Sequence, residues 1–244
     1  MSVEHIPLLK IERELHDIPR GMERFGAYLK TIMNDDGDDV SLVPMISMNP
    51  MGREHVSERL DELLALDADK VAAQAVNEAV ARVGGIEGEF RHGLVVMDDV
   101  RGGWTNRTTN DFAFRFGWVL PIKRPWITTP LWVSETPSHE FVRQLVLMSI
   151  FRLAYFQKHG TTKTLRQMMA QEGQAGVFAG LRPLYDEEEL VYSRFVIAPH
   201  QDSTDYAVQI AMLYGDEAAR SLGYEPMGLS KNAGFDLAIA DAMG

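Results

Sequence analysis

Apolar side chains recur at three- and four-residue intervals over most of the chain, and short apolar or β-branched runs interrupt that rhythm. The first period marks helices with one buried stripe, and the runs mark buried strands. Pro19 suits the first position of a helix reaching about Met33, with Met22, Phe25, Leu29 and Ile32/Met33 on one face. Val40 to Met48 reads as a strand, although Pro44 pushes it toward a sheet edge or a bulge. Helices are predicted over Glu54 to Leu66, on Val56, Leu60 and Leu63/Leu64, and over Asp69 to Arg82, which Gly84-Gly85 stops. Gly93 to Asp99 is a buried strand by its apolar run.

Beyond the polar loop Arg101 to Asp111, Phe116 to Leu120 and Trp126 to Val133 read as two strands of a hairpin, turned through Pro121 to Pro125. Thr136-Pro137 then opens a long helix ending near His159-Gly160, apolar on every side in its middle and therefore buried. Shorter helices follow over Lys163 to Gln171, Glu187 to Ile197, Asp205 to Leu213, Glu217 to Leu222 and Phe235 to Met243.

This pattern predicts an α/β fold: a helix-rich single domain, 1–244, around a mixed central sheet of about four strands, with a long buried helix. Its parts are an N-terminal helical segment 1–39, a sheet-containing core 40–159 and a C-terminal helical segment 160–244. An α+β layout with a mainly antiparallel sheet is the alternative. If two helices join the Val40 and Leu94 strands, the two lie parallel and end on one edge. Ligands of open α/β sheets sit outside that edge, so Asn49 to Arg53 and Asp98 to Arg107 become the candidate site. Should the Trp126 strand also run parallel, Ser134-Glu135-Thr136, leading to His139 and Glu140, joins them.

Composition narrows the function. The 24 Lys+Arg against 35 Asp+Glu give a net charge of -11, which argues against a nucleic-acid binder because phosphate tracking needs a basic surplus. Cysteine is absent, removing disulfides, thiolate nucleophiles and iron–sulfur clusters. The N-terminus shows no leader pattern and no apolar run reaches the ~20 residues a bilayer span needs, so a cytoplasmic protein without membrane partners is expected. A homo-oligomer stays open.

The charge is uneven. From Arg101 to Ser134, five cations (Arg101, Arg107, Arg115, Lys123, Arg124) face only Asp111, a net +4 that leaves -15 elsewhere. Within that island Arg101, Gly102, Gly103, Trp104, Asn106 and Arg107 form the candidate ligand loop: guanidinium forks for an anionic group, a Gly pair for close backbone approach, an indole platform and an amide. Glu135 and His139, four apart at a helix start, are the candidate general acid–base pair. Asp98 and Asp99 are weaker candidates for a divalent metal. Strand geometry turns those two to opposite faces.

Other signals fail. No phosphate loop or nucleophile elbow is present, Gly173, Gly176 and Gly180 are misplaced for a dinucleotide fingerprint, and Arg143 stands where a zincin after His139-Glu140 needs its second His. His200, Asp202 and Asp205 read as turn chemistry, with Ser203 or Asp202 capping the next helix. Arg152, embedded in an apolar run, requires a carboxylate or an anionic ligand. The two function classes are a small-molecule enzyme, such as a hydrolase, acting on an anionic substrate, and a non-catalytic ligand-binding or assembly protein. The first needs a concave site joining the loop to Glu135 or His139, and the second a broad exposed apolar patch.

Overall fold

The computed structural model describes residues 2–100, 105–118 and 123–244 and separates into two compact units, Met1–Ile150 and Phe151–Gly244. The first unit holds strands β1 (Ser2–His5), β2 (Glu89–Met97) and β3 (Trp126–Trp132) in the order β1-β2-β3. Both pairings are parallel, with His5 beside His92 and Arg91 beside Trp126. Helices α1 (Leu9–Asp17), α2 (Met22–Ile32), α3 (Glu54–Ala65) and α4 (Ala68–Val83) lie between β1 and β2, and α5 (Arg107–Phe116) lies between β2 and β3. Helix α6 (His139–His159) follows and runs on into the second unit. One core cluster brings Leu8, Leu15, Tyr28 and Ile32 against Val95, Met97, Trp126 and Trp132.

Three expectations about the sheet are corrected. The mixed sheet of about four strands, and the antiparallel alternative with it, give way to three parallel strands among the described residues. Val40 to Met48 is not a strand. Val43–Ser47 is a 3₁₀ turn with Pro44 in its first positions, because proline's fixed φ suits a helical start and its missing N–H cannot serve a ladder. The parallel neighbour of β2 is Ser2–His5, too short and polar to show an apolar alternation.

Of the expected hairpin strand Phe116 to Leu120, the described residues Phe116 to Trp118 do not lie in a strand. Phe116 ends α5, whose N-cap Asn106 accepts from the Thr109 N–H at 3.0 Å, and the rings of Phe112 and Phe116 pack one turn apart. Residues 119–122 lie outside the described set. A parallel link needs a crossover, and α5 lies on it. Outer strand β3 accommodates Pro130 because odd residues such as Val133 donate to β2, leaving the Pro130 nitrogen on the open side. Ser138 rather than Thr136 caps α6, accepting from the Phe141 N–H at 3.1 Å.

Two polar features sit inside this unit. β1 stops at His5 while β2 continues, so the Val96 N–H is bared on that side and donates to Glu12 Oε2 from α1 at 3.0 Å. Glu12 is fully buried; burial pushes its carboxyl up to about 8, the Val96 N–H pulling against that and Asp69 adding to it. A hydrogen-bonded thread also crosses the sheet. Asp69 meets His5 Nε2 at 2.9 Å, His5 Nδ1 meets His92 Nδ1 at 2.8 Å, and His92 Nε2 meets Thr129 Oγ1 at 2.8 Å. Thr129 donates to Ser149 and Ser149 to the Leu145 carbonyl. Burial, and then the neighbouring His5, hold the His92 imidazole well below the ordinary histidine range.

The second unit is helical: α7 (Leu165–Ala179), α8 (Glu187–Ile197), α9 (Tyr206–Tyr214), α10 (Asp216–Ser221) and α11 (Ala233–Met243). Thr164 and Gln167 form a reciprocal capping box at the start of α7. That helix overruns its expected end at Gln171 because Gly173 and Gly176 are packing residues: a Cβ on Gly173 would lie 2.1 Å from the Ala238 carbonyl oxygen of α11. Arg152 finds its carboxylate in Glu172, Nε and Nη2 each 2.7 Å from an oxygen. Asp205 itself caps α9, accepting from the Val208 N–H, while Asp202 pairs with Arg166 at the surface. Among the described residues no helix is long and apolar enough to cross a membrane.

Candidate functional site

Parallel pairing brings the carboxyl ends of β2 and β3 to one edge, and the Val133 N–H extends the ladder to the Met97 carbonyl at 3.0 Å. Asp98 and Asp99 follow β2 there, and Ser134 and Glu135 follow β3. Asp99 Oδ1 accepts from the Ser134 N–H at 3.0 Å, and its Oδ2 accepts from Ser134 Oγ at 2.6 Å and from Arg107 Nη1 at 3.0 Å. Arg107, the first residue of α5, also donates to Ser134 Oγ and Glu135 Oε1, with its guanidinium 5.3 Å from the centre of the Trp132 ring. Burial pushes the Glu135 carboxyl up, against the pull of Arg107.

Asp98 turns the other way. Its side chain is fully buried and accepts from His55 Nε2 at 3.0 Å, Asn49 Nδ2 at 3.3 Å and the Val100 N–H at 3.1 Å. Asn49 is oriented by its own turn, its carbonyl accepting from the Met51 N–H, so its amide nitrogen faces the carboxylate. His55 is the second residue of α3, and Arg59, one turn on, donates to the Val133 carbonyl at 3.0 Å. Among the described residues, three buried polar atoms at this edge have no hydrogen-bond partner: His55 Nδ1, Arg59 Nε and Glu135 Oε2. Buried polar atoms are rarely left so.

The edge thus unites Asn49, Asp98, Asp99, Asn106, Arg107 and Glu135, with different roles from those expected. Asn106 spends its side-chain oxygen on the α5 cap. Arg107 is a clamp on two carboxylates, so its charge is already met. The cationic island is largely balanced too, Arg115 pairing with Asp111 and Arg124 with Asp39. His139 does not pair with Glu135; its Nε2 donates to the Leu66 carbonyl at 2.9 Å. Arg101, Gly102, Gly103 and Trp104 lie outside the described residues.

Asp98 and Asp99 diverge to separate partners, and among the described residues no group of three or more His, Asp or Glu side chains could hold a metal ion. Sequence reasoning missed His55 and Arg59. The available signal was their place just beyond Asn49 to Arg53, four apart and beside the apolar Val56–Leu60–Leu63 stripe, so both lie along one flank of a helix leaving the site edge. Comparison with family models, curated proteins and solved structures finds no match to this chain.

Proposed function

We propose that the carboxyl edge of the sheet is the general acid–base site of a small-molecule enzyme, of the hydrolytic kind, acting on a substrate with an anionic group. The observation that carries the reading is His55: Nε2 on the buried Asp98 carboxylate, Nδ1 without a partner among the described residues. A carboxylate that accepts from one imidazole nitrogen fixes the tautomer, leaves the lone pair on the other and steadies the imidazolium formed when that nitrogen takes a proton. In this reading His55 Nδ1 deprotonates the attacking water. Arg59, whose Nη1 pairs with Glu62, offers its unpartnered Nε as a hydrogen-bond donor to the anionic group of the substrate. Glu135, its carboxyl raised by burial, supplies a proton to the leaving group.

The test is hydrolysis of a panel of nitrophenyl esters and phosphates by the wild type, His55→Gln and Asp98→Asn, with thermal unfolding of each as a control on folding. Turnover is expected to fall by roughly 10²–10⁴-fold in His55→Gln. Turnover equal in wild type and His55→Gln removes the reading.

The alternative of a non-catalytic assembly protein has one observation behind it. Leu184, Val191 and Phe195, in and just before α8, are 92%, 55% and 78% exposed. Self-association through this patch is checked by sedimentation of wild type and Phe195→Ser, a monomeric wild type counting against it.

A further inference from the structure

At the opposite edge of the same sheet, where β2 and β3 begin, a cavity of about 480 Å³ opens beside strand residues that the carboxyl-edge site does not use. Its size is that of a small-molecule site. The register places Glu4 beside Arg91 and Arg91 beside Trp126, and Glu89 lies two residues before Arg91 on the same face. The cavity wall thus carries a row of acid, base and indole, with Lys123 closing it from the segment before β3.

The wall is built without spending those charges. Arg124 ties the facing loop by pairing with Asp39 and donating to the Val40 carbonyl at 2.8 Å, and Trp126 Nε1 donates to the Ser41 carbonyl at 3.1 Å. Trp126 and Val43, both buried, make an apolar floor. Arg91 lies over the Trp126 ring, 5.7 Å from its centre, rather than on a carboxylate. Among the described residues none of Glu4, Glu89, Arg91 and Lys123 has an ion-pair partner, although acid and base are neighbours in the row. Arg13, Arg82, Arg143 and Arg152, by contrast, each pair with an acid.

We infer that this cavity binds a small zwitterion of amino-acid or dipeptide size, its carboxylate on Arg91 and Lys123, its ammonium between Glu4 and Glu89, and its apolar part on Trp126. A plain anion would meet the two glutamates, and a plain cation would meet the guanidinium and the ammonium. Only a ligand carrying both charges matches the four groups together. The proposal is independent of the chemistry at the carboxyl edge.

The test follows the Trp126 indole N–H signal by NMR, assigned with Trp126→Phe, during titration with leucine, phenylalanine and alanyl-leucine, and with isovalerate and isopentylamine as single-charge analogues. The zwitterions are expected to shift the signal saturably at concentrations up to about 10 mM, with each analogue weaker by about tenfold or more. Arg91→Ala and Glu4→Gln, both at exposed positions, should each weaken binding by about tenfold or more while leaving the melting temperature unchanged. No saturable shift, equal binding of an analogue, or unchanged binding in both variants overturns the proposal.

Discussion

Glu12 sits where water cannot reach it; among the described residues its carboxyl is bonded only to the Val96 N–H and its second oxygen has no partner. Its ordinary value of 4.5 is raised to about 8 in the fold, so the unfolded chain ionises first as pH rises. The stability associated with this group is whole below pH 4.5 and is lost as pH climbs toward 8. Glu12→Gln should therefore gain on the wild type by roughly 4 kcal/mol between pH 5 and pH 8, at ~1.4 kcal/mol per unit. Urea unfolding at both values measures this, and a constant difference would show that the carboxyl ionises in the fold as it does in the unfolded chain. Arg107 works in the other direction on Glu135, holding down a carboxyl that burial raises. Arg107→Met should push that carboxyl higher still, read from its ¹³C signal across a pH titration; no upward shift would separate the two groups.

At the scale of elements, small contacts decide where helices end and how closely they cross. Gly173 of α7 meets the Ala238 carbonyl of α11, so Gly173→Val should destabilise by ~1–3 kcal/mol or more through overpacking against backbone that cannot yield. The Arg152–Glu172 pair joins α6 to α7 with both side chains buried. Removing one partner strands a charge: Glu172→Gln should cost about 3–5 kcal/mol, whereas Arg152→Met with Glu172→Met together should cost far less. Chemical denaturation of the single and double variants tests this, and additive losses would contradict it. The α5 cap carries the same logic on a smaller scale, Asn106→Ala costing about 1 kcal/mol and loosening the placement of Arg107.

For the whole molecule, the buried titratable groups set a pH optimum. His16 is lowered from 6.5 to about 4, by burial first and then by Arg24, and His92 is lowered well below its ordinary value, by burial first and then by His5. The unfolded chain therefore takes up protons on these two histidines as pH falls below 6.5, and stability drains on that side. Glu12 drains it as pH rises toward 8. Between 4.5 and 6.5 the two histidines outweigh the single carboxyl, so the unfolding free energy should peak near pH 6.5. Denaturant melts across pH 4.5 to 8.5 check this, and a monotonic profile would refute it. Glu12→Gln should flatten the alkaline limb and steepen the rise between pH 4.5 and 6.5.

The helices of this protein are local objects, legible because a stripe of apolar residues every three or four positions has only one way to be buried. Hence α2, α3, α4 and α6 follow the period of their sequence within a few residues, and the unpartnered look of Arg152 foretold a buried pair. Asn49, Asp98, Arg107 and Glu135 were also legible as polar segments at strand ends. What each does was not, because it depends on residues far away in the chain: Asp99 and Glu135 neutralise Arg107, and Asp98 holds His55 across 43 positions. The same holds for the sheet. Ser2–His5 becomes a strand only because β2 offers it a free edge, and Val43–Ser47 fails to become one because proline cannot join a ladder. Side-chain period determines which faces are buried; hydrogen-bond partners and charge balance belong to the tertiary structure, which alone brings distant donors and acceptors together.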